Sequence, residues 1–296
     1  MTTPPDPVTS AMPRAVIVIS SHVVRGTVGN RAAVFALETL GFPVWAVPTV
    51  TLAWHPGHGP ATRIVAPSGQ FSALLADLGR SPWLGEVGAV LTGYLGDADQ
   101  AEAIATLVKA VKARNPEARY LCDPVIGDAG GLYVPERTAA AIRDRLVAVA
   151  DIATPNRYEL EWLVGRRLAN QGEIAAAARE LGPRTALVTS VPAATAGSIG
   201  NLLVNDARAI LAEHRLIERP PNGLGDLTAA VYLARVLRGC SAAEALRSTT
   251  AAVYEILART AGRGGDELQL ETDARSLSHP AAAVGLRELE LPAGAA

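Results

Sequence analysis

The stretch Ala15-Val-Ile-Val-Ile19 decides the fold class of this chain. Five consecutive apolar residues are typical of a strand that is buried on both faces. Strands of this kind belong to parallel sheets that helices cover on both sides. We therefore expect an α/β protein with this strand inside its central sheet.

Short apolar runs alternate with helical patterns along most of the chain. The predicted strands are 15–19, 44–49, 89–93, 119–122, 150–153, 185–189, 199–204 and 209–212. The predicted helices are 30–40, 70–78, 97–114, 135–148, 156–165, 171–181, 226–238 and 241–260. This alternation indicates βαβ units, so we predict three αβα layers with a mainly parallel central sheet and helices on both faces.

The composition allows one large core. The chain has 296 residues, of which 49% are hydrophobic, and its net charge is -2. We expect a single domain over residues 14–275, with a disordered leader at 1–13 and a C-terminal tail at 276–296. The near-neutral charge argues against a nucleic-acid partner or a polybasic membrane surface.

The cell compartment is predicted from three further observations. The first thirteen residues lack the basic and apolar blocks of a signal peptide. Apolar runs such as Ala15–Ile19 are too short to cross a bilayer. Cys122 and Cys240 are the only cysteines, and two cysteines so far apart in the sequence do not indicate a disulfide framework. We therefore expect a cytoplasmic protein with no membrane partner.

The segment Asn222-Gly-Leu-Gly-Asp226 opens a predicted helix and suggests chemistry. Glycines let backbone N–H groups turn towards a ligand, and a helix N-terminus attracts anions. An acid beside such an anion hole can take a proton from a hydroxyl group while the amides stabilise a phosphoryl group. The segment predicts a small-molecule kinase, and the alternative is an ordinary turn with an acid in the first helical turn.

Polar residues gather where several predicted strands end. They are Ser20-Ser-His22, Gly93-Tyr94, Asp123-Pro124, Thr154-Pro-Asn156 and Thr189-Ser190. In open parallel sheets, ligands bind beyond these carboxyl ends. Acids there suit Mg²⁺, which prefers oxygen ligands beside phosphates. For Glu159 and Glu161 the alternative is that they complement the dipole of the helix that they begin.

Other mechanisms lack their sequence motifs. The pair His55-Pro-Gly-His58 has no third ligand at zinc-site spacing, so a loop that contacts substrate is favoured. No Gly-x-x-x-x-Gly-Lys-Ser/Thr segment is present, and the protein-kinase motifs and a dinucleotide fingerprint are also missing.

Six ordered blocks resemble the pyridoxal kinases of the ribokinase superfamily over residues 14–275. They are Ser21–Asn30, Leu91–Gly96, Lys112–Pro116, Cys122–Asp128, Thr154–Glu161 and Gly223–Asp226. The segment Ala251–Ile256 is similar to bacterial members of the PdxY type. The resemblance implies a ribokinase-like fold, a flexible lid, a homodimer, and ATP-dependent phosphorylation of the 5′-hydroxymethyl group of pyridoxal.

The same resemblance implies roles for individual residues. It makes Asp226 the general base, with the amides of Gly223, Leu224 and Gly225 completing the anion hole. The residues that map to the pyridoxal side are Ser21, Val28, His55, Tyr94 and Tyr133. Those that map to the ATP and Mg²⁺ side are Asp123, Thr154, Glu159, Thr189, Arg219, Pro220, Pro221 and Asn222, with Asp123 and Glu159 nearest the metal. A monovalent cation is a further expectation.

The chain departs from the family pattern at three places. Arg25 replaces an aromatic residue, the loop 52–59 replaces a polar one, and Leu224 stands where many members have threonine. A hydroxymethylpyrimidine kinase remains an alternative, although those enzymes resemble Gly-x-Gly-Cys where this chain has Asp226. A sugar kinase and a non-catalytic binder of vitamin B6 forms are further alternatives.

Overall fold

The run Ala15–Ile19 begins a strand at the centre of the molecule. Within this strand Val16 and Val18 pack against one layer of helices, whereas Ile17 and Ile19 pack against the other. Side chains alternate between the faces of a strand, so both faces of this strand must be covered. The computed structural model describes residues 14–290, and the predicted leader lies outside the described residues.

Within residues 14–290, ten strands form one sheet and two form a small hairpin. In chain order they are β1 (Ala15–Val23), β2 (Val44–Leu52), β3 (Arg63–Ile64), β4 (Val87–Thr92), β5 (Arg119–Cys122), β6 (Gly127–Asp128), β7 (Gly131–Leu132), β8 (Ile152–Ala153), β9 (Thr185–Pro192), β10 (Ser198–Asn205), β11 (Ala209–Arg215) and β12 (Gly285–Leu289). The sheet order is β12-β11-β10-β9-β8-β5-β4-β1-β2-β3, and β6 pairs with β7. The strands from β9 to β2 in this order are mutually parallel, and antiparallel strands extend the sheet at both edges.

Helices cover both faces of the sheet. They are α1 (Asn30–Thr39), α2 (Ser68–Arg80), α3 (Gln100–Arg114), α4 (Glu136–Ala141), α5 (Arg157–Val164), α6 (Gln171–Glu180), α7 (Leu224–Leu237), α8 (Ala242–Gly262) and α9 (Ala274–Ser278). One apolar core joins the sheet to α1, α7 and α8, and two others join its opposite face to α2, α3, α5 and α6. The predicted three-layer αβα class and mainly parallel sheet are confirmed.

The elements differ from the sequence-based expectation in a few places. Strand β1 continues to Val23, so Ser21 lies within it, and the strand is irregular between Ser20 and His22. The predicted helix at 135–148 is regular only to Ala141 and then continues as wider and tighter turns. Residues 274–278 and 285–289 of the C-terminal region form α9 and β12. Within residues 14–290, no helix combines the length and apolar character needed to cross a membrane.

Candidate active site

A cavity of about 320 Å³ lies where the parallel strands end. Most of the residues predicted for the site line this one cavity. They are Ser21, Val28, His55, Tyr94, Asp123, Tyr133, Thr154, Glu159, Thr189, Pro220, Asn222, Gly223, Leu224, Gly225 and Asp226. Arg219 and Pro221 belong to the same loop as Pro220, but they are not among the lining residues.

The glycine turn requires a glycine at its first position. Gly223 has a φ of 92° directly before α7, a conformation that side chains disfavour. A Cβ atom there would lie 2.2 Å from the carbonyl oxygen of Thr27. No side chain caps α7, so the first-turn N–H groups, which have no partner within the helix, are available to a ligand.

The Asp226 carboxylate is held at the N-termini of two helices. Its own N–H group in α7 and the N–H group of Gly29, which precedes α1, lie close to it and favour its charged form, which lowers its pKa. The side chain is partly accessible from the cavity but is surrounded by protein, and this burial raises its pKa to about 6. The amides oppose the shift because they stabilise the charged form. Asp226 is therefore a base that titrates just below neutral pH.

A second acid, Asp123, lies beside Asp226. Asp123 is buried, and its Oδ1 atom accepts a hydrogen bond of 2.8 Å from the hydroxyl of Thr154. Burial and the charge of Asp226 raise the pKa of Asp123 to about 8. A Cβ atom on Gly225 would lie 3.8 Å from Asp123 Oδ2, so this oxygen faces the glycine turn. The site therefore gathers acidic side chains next to the amides of α7, where burial and mutual repulsion disfavour ionisation of Asp123.

Glu159 anchors the loop that follows β5. Its Oε1 atom accepts N–H groups from Ile126 at 3.0 Å and Gly127 at 3.4 Å, and its Oε2 atom accepts the N–H of Asn156 at 2.8 Å. Asn156 accepts the N–H of Glu159 in return, which caps α5. Burial and the charge of Asp123 raise the pKa of Glu159, although the three amides oppose this rise. Glu159 lies in the first turn of α5 and takes part in its cap, which agrees with the alternative that it complements the dipole of this helix.

A cation would compensate the charge of this acidic group. Within residues 14–290, none of Asp123, Glu159 and Asp226 forms an ion pair. The same part of the chain holds no group of three or more His, Cys, Asp and Glu residues with metal-site geometry. A divalent ion would thus need oxygen ligands from elsewhere, and Mg²⁺ typically takes one or two carboxylates together with phosphate and water oxygens. The residues present fit that pattern.

The other predicted residues surround one end of the cavity. The Tyr94 hydroxyl accepts a hydrogen bond of 3.1 Å from Arg63, and the Tyr94 N–H donates to Ser20 Oγ at 3.2 Å. The Nδ1 atom of His55 accepts the N–H of Gly57 at 3.1 Å, and burial lowers the pKa of His55. This end is therefore lined by aromatic and polar side chains that are held in place by their neighbours.

The opposite end of the cavity was missed by the sequence reasoning. It is lined mainly by apolar residues from β10, β11, α8 and the loop before the glycine turn. They include Ile199, Gly200, Leu216, Ile217, Val253 and Leu257. The rings of His214 and Tyr254 lie 4.9 Å apart beside them. An apolar end of this kind accommodates a flat ring system. These residues come from distant segments. The antiparallel pairing predicted for 199–204 and 209–212 pointed to this wall, and the family-like segment Ala251–Ile256 contains Val253 and Tyr254 but was given no role in the site.

Comparisons with known proteins agree with this geometry. The family model described as phosphomethylpyrimidine kinase matches residues 69–270. A pyridoxal kinase PdxY of Rubrobacter xylanophilus is 41% identical over 272 residues, covering 90% of this chain and 94% of that protein. The pyridoxal kinase PdxY of Corynebacterium diphtheriae is 37% identical, with coverages of 90% and 96%.

A solved structure gives the same result. Pyridoxal kinase from Leishmania donovani, in complex with ADP and pyridoxamine, superposes with a TM-score of 0.87 at 28% identity, covering 94% of this chain and all of that one. The αβα fold, the glycine turn with its acid and these matches define a small-molecule kinase. The chain belongs to the pyridoxal kinase family, as the ordered sequence blocks predicted.

Proposed function

We propose that this protein transfers the γ-phosphoryl group of ATP to the 5′-hydroxymethyl group of pyridoxal, giving pyridoxal 5′-phosphate. The observation that carries the proposal is the position of Asp226 in the cavity. Its Oδ1 atom would lie 3.7 Å from a Cβ atom on Gly93, directly after β4, and β4 stands in the sheet between β1 and β2 on one side and β9, β10 and β11 on the other. An alcohol at the end lined by Ser21 and Tyr94 and a nucleotide at the apolar end would bring their reacting groups to this carboxylate.

Asp226 is the general base in this proposal. With a pKa of about 6 it is mostly ionised at neutral pH, yet it remains basic enough to accept the hydroxyl proton as the oxygen attacks phosphorus. The amides of Gly29 and Asp226 fix the direction of the carboxylate. Such fixed positioning supplies much of the rate enhancement in phosphoryl transfer.

The glycine turn would stabilise the transferred group. Residues 223–225 present N–H groups at the start of α7, where the helix dipole favours negative charge. The close contact between Gly223 and Thr27 holds the turn against the loop that carries Val28 and Gly29. The anion hole and the base are therefore parts of one packed unit.

The acidic side of the cavity would hold Mg²⁺ with the nucleotide. Asp123 is the residue with a carboxylate oxygen directed to the turn, and Glu159 lies beside it with its oxygens bound to backbone amides. When bound, Mg²⁺ neutralises phosphate charge. We further propose that Thr154, Thr189 and residues 219–222 contact the nucleotide, and that a monovalent cation assists.

The test is ADP release with a panel of acceptors. Pyridoxal, pyridoxine, pyridoxamine and hydroxymethylpyrimidine are each supplied with ATP and Mg²⁺, and we expect turnover with pyridoxal. The Asp226→Asn variant should lower kcat by about 10²–10⁴-fold while ligand binding, measured by calorimetry, changes little. Turnover of the pyrimidine alone would favour a hydroxymethylpyrimidine kinase, and tight vitamer binding without ADP release would favour a non-catalytic binder.

We also propose that the protein acts in the cytoplasm as a homodimer. The support is the resemblance to the family and the absence of a spanning helix among residues 14–290. Sedimentation equilibrium at micromolar concentration tests the dimer, and a single species with the mass of one chain would contradict it.

A further inference from the structure

The Glu267 carboxylate connects three segments around the substrate end of the cavity. Its side chain is only 11% exposed, although it follows α8 and belongs to no regular element. The backbones of Glu267 and Asn222 pair in the parallel manner directly before the glycine turn. A buried carboxylate needs partners to offset its desolvation, so each of its contacts constrains a neighbour.

The first neighbour is the loop of residues 24–29, here called the first loop. The N–H of Thr27 donates to Glu267 Oε2 at 3.2 Å, and the Thr27 hydroxyl donates to the carbonyl of Leu268 at 2.8 Å. Gly26 packs so tightly that a Cβ atom would lie 2.7 Å from Glu267 Oε1. Because Thr27 also touches Gly223, one residue links the carboxylate to the glycine turn.

The second neighbour is the loop of residues 53–60, here called the second loop. His58 Nε2 lies 2.7 Å from Glu267 Oε1, and Gly57 lies against the side chain of Asn222. His55 and Pro56 of this loop line the cavity. The contact at His58 therefore fixes the part of the loop that covers the substrate end.

Both loops are places where the sequence departs from the family pattern. Arg25 of the first loop forms an ion pair of 2.7 Å with Asp266, and its other nitrogen lies 3.9 Å from Glu267. Arg25 and Asp266 are both more than half exposed, so this pair adds little by itself. The buried contacts of Glu267 with Thr27 and His58 are the stronger part of the cluster.

We propose that Glu267 is a positioning residue that holds the first and second loops against the glycine turn and so forms the binding surface for the phosphoryl acceptor. Glu267 is not among the residues that line the cavity, whereas Val28, His55 and Pro56 of the two loops are. The inference rests on the proposed function for its kinetic consequence. Its structural consequence, the ordering of both loops, is independent of turnover.

The test compares Glu267→Gln with Glu271→Gln. The second variant makes the same chemical change four residues further along, at an exposed position. The side chain of Glu271 makes no hydrogen bond or ion pair within residues 14–290. Hydrogen exchange is measured on the free proteins, followed by steady-state kinetics with pyridoxal and ATP. We expect Glu267→Gln to speed exchange in residues 24–29 and 53–60, and to raise the KM for the acceptor about tenfold with a change in the KM for ATP of about twofold or less. Glu271→Gln should match the wild type.

Two substitutions at His58 separate the loops and remain useful if Glu267→Gln fails to fold. His58→Ala should speed exchange in the second loop but not in the first, whereas His58→Gln keeps a donor at similar reach and should restore protection. Unchanged exchange in Glu267→Gln, or equal increases in both KM values, would overturn the proposal. If the wild type is inactive with pyridoxal while Glu267→Gln still speeds exchange in both loops, the proposed function is contradicted and the positioning role of Glu267 is not.

Discussion

Replacing Gly223 by alanine tests how closely the glycine turn is fitted to the first loop. The added Cβ atom would lie 2.2 Å from the Thr27 carbonyl oxygen, whereas ordinary van der Waals contact begins near 3.4 Å. The difference, 3.4 − 2.2, means that the turn and the first loop must separate by about 1.2 Å. The φ of 92° adds backbone strain of about 1–2 kcal/mol.

The activity loss follows from this displacement. Moving positioning groups by about 1 Å can cost about 10²-fold in rate, which corresponds to about 2.7 kcal/mol of transition-state stabilisation. Both the amides of the turn and the Gly29 amide that holds Asp226 would move. We therefore expect Gly223→Ala to lower kcat/KM for pyridoxal by about 10²-fold or more.

Gly239→Ala is the matched control for this prediction. Gly239 follows the other end of the same helix with a φ of 76°, and no atom lies within 4 Å of an added Cβ. Backbone strain should lower the free energy of unfolding of Gly239→Ala by about 1 kcal/mol in urea, and its turnover should be normal. If Gly223→Ala loses no more activity than Gly239→Ala, the close contact with Thr27 does not position the site.

Three further outcomes are expected at the acidic side of the cavity. The pH profile of kcat/KM should have an acidic limb near pH 6, because Asp226 must lose its proton to act as a base; a limb that persists in Asp226→Asn would refute this assignment. Since the pKa of Asp226 is about 6 in the folded protein and near 3.8 when unfolded, the folded state holds the extra proton and stability falls as pH rises through that interval. At pH 8 the free energy of unfolding of Asp226→Asn, measured with urea, should therefore exceed that of the wild type by about 1–3 kcal/mol. At pH 4 the difference should be smaller. Thr154→Val removes the hydroxyl that donates to Asp123, a hydrogen bond worth about 1 kcal/mol. The KM for MgATP should therefore rise severalfold, while the KM for pyridoxal stays the same.

Much of the fold was predictable because its elements bury regular patterns. The strand Arg119–Cys122 and the helix that ends at Arg114 appear at the predicted positions. A short apolar run indicated the strand, and apolar residues with a 3.6-residue period indicated the helix. Strand Gly285–Leu289 was not predicted. It pairs at the edge of the sheet and is mostly exposed, so no apolar run marks it.

The site was predictable where residues follow strand ends and unpredictable where tertiary contacts decide. Asp123 and Thr154 follow neighbouring parallel strands, whose carboxyl ends must meet at one edge. Tyr254 lies in the family-like segment Ala251–Ile256, but that segment assigned it no role in the site, and Glu267 belongs to no motif. Both lie far along the chain from the residues that they approach. Their contribution depends on how α8 and the segment after it pack, which local patterns do not encode.

The two amides that favour the charged form of Asp226 come from segments far apart in the chain, one from Gly29 and one from residue 226 itself. A ribosome-bound nascent chain that has not yet released α7 has no base, and a fragment that lacks α1 cannot orient it. Catalytic competence should thus arise only when synthesis is nearly complete. Two halves of the protein, produced separately, would have to reassociate before either could turn over substrate.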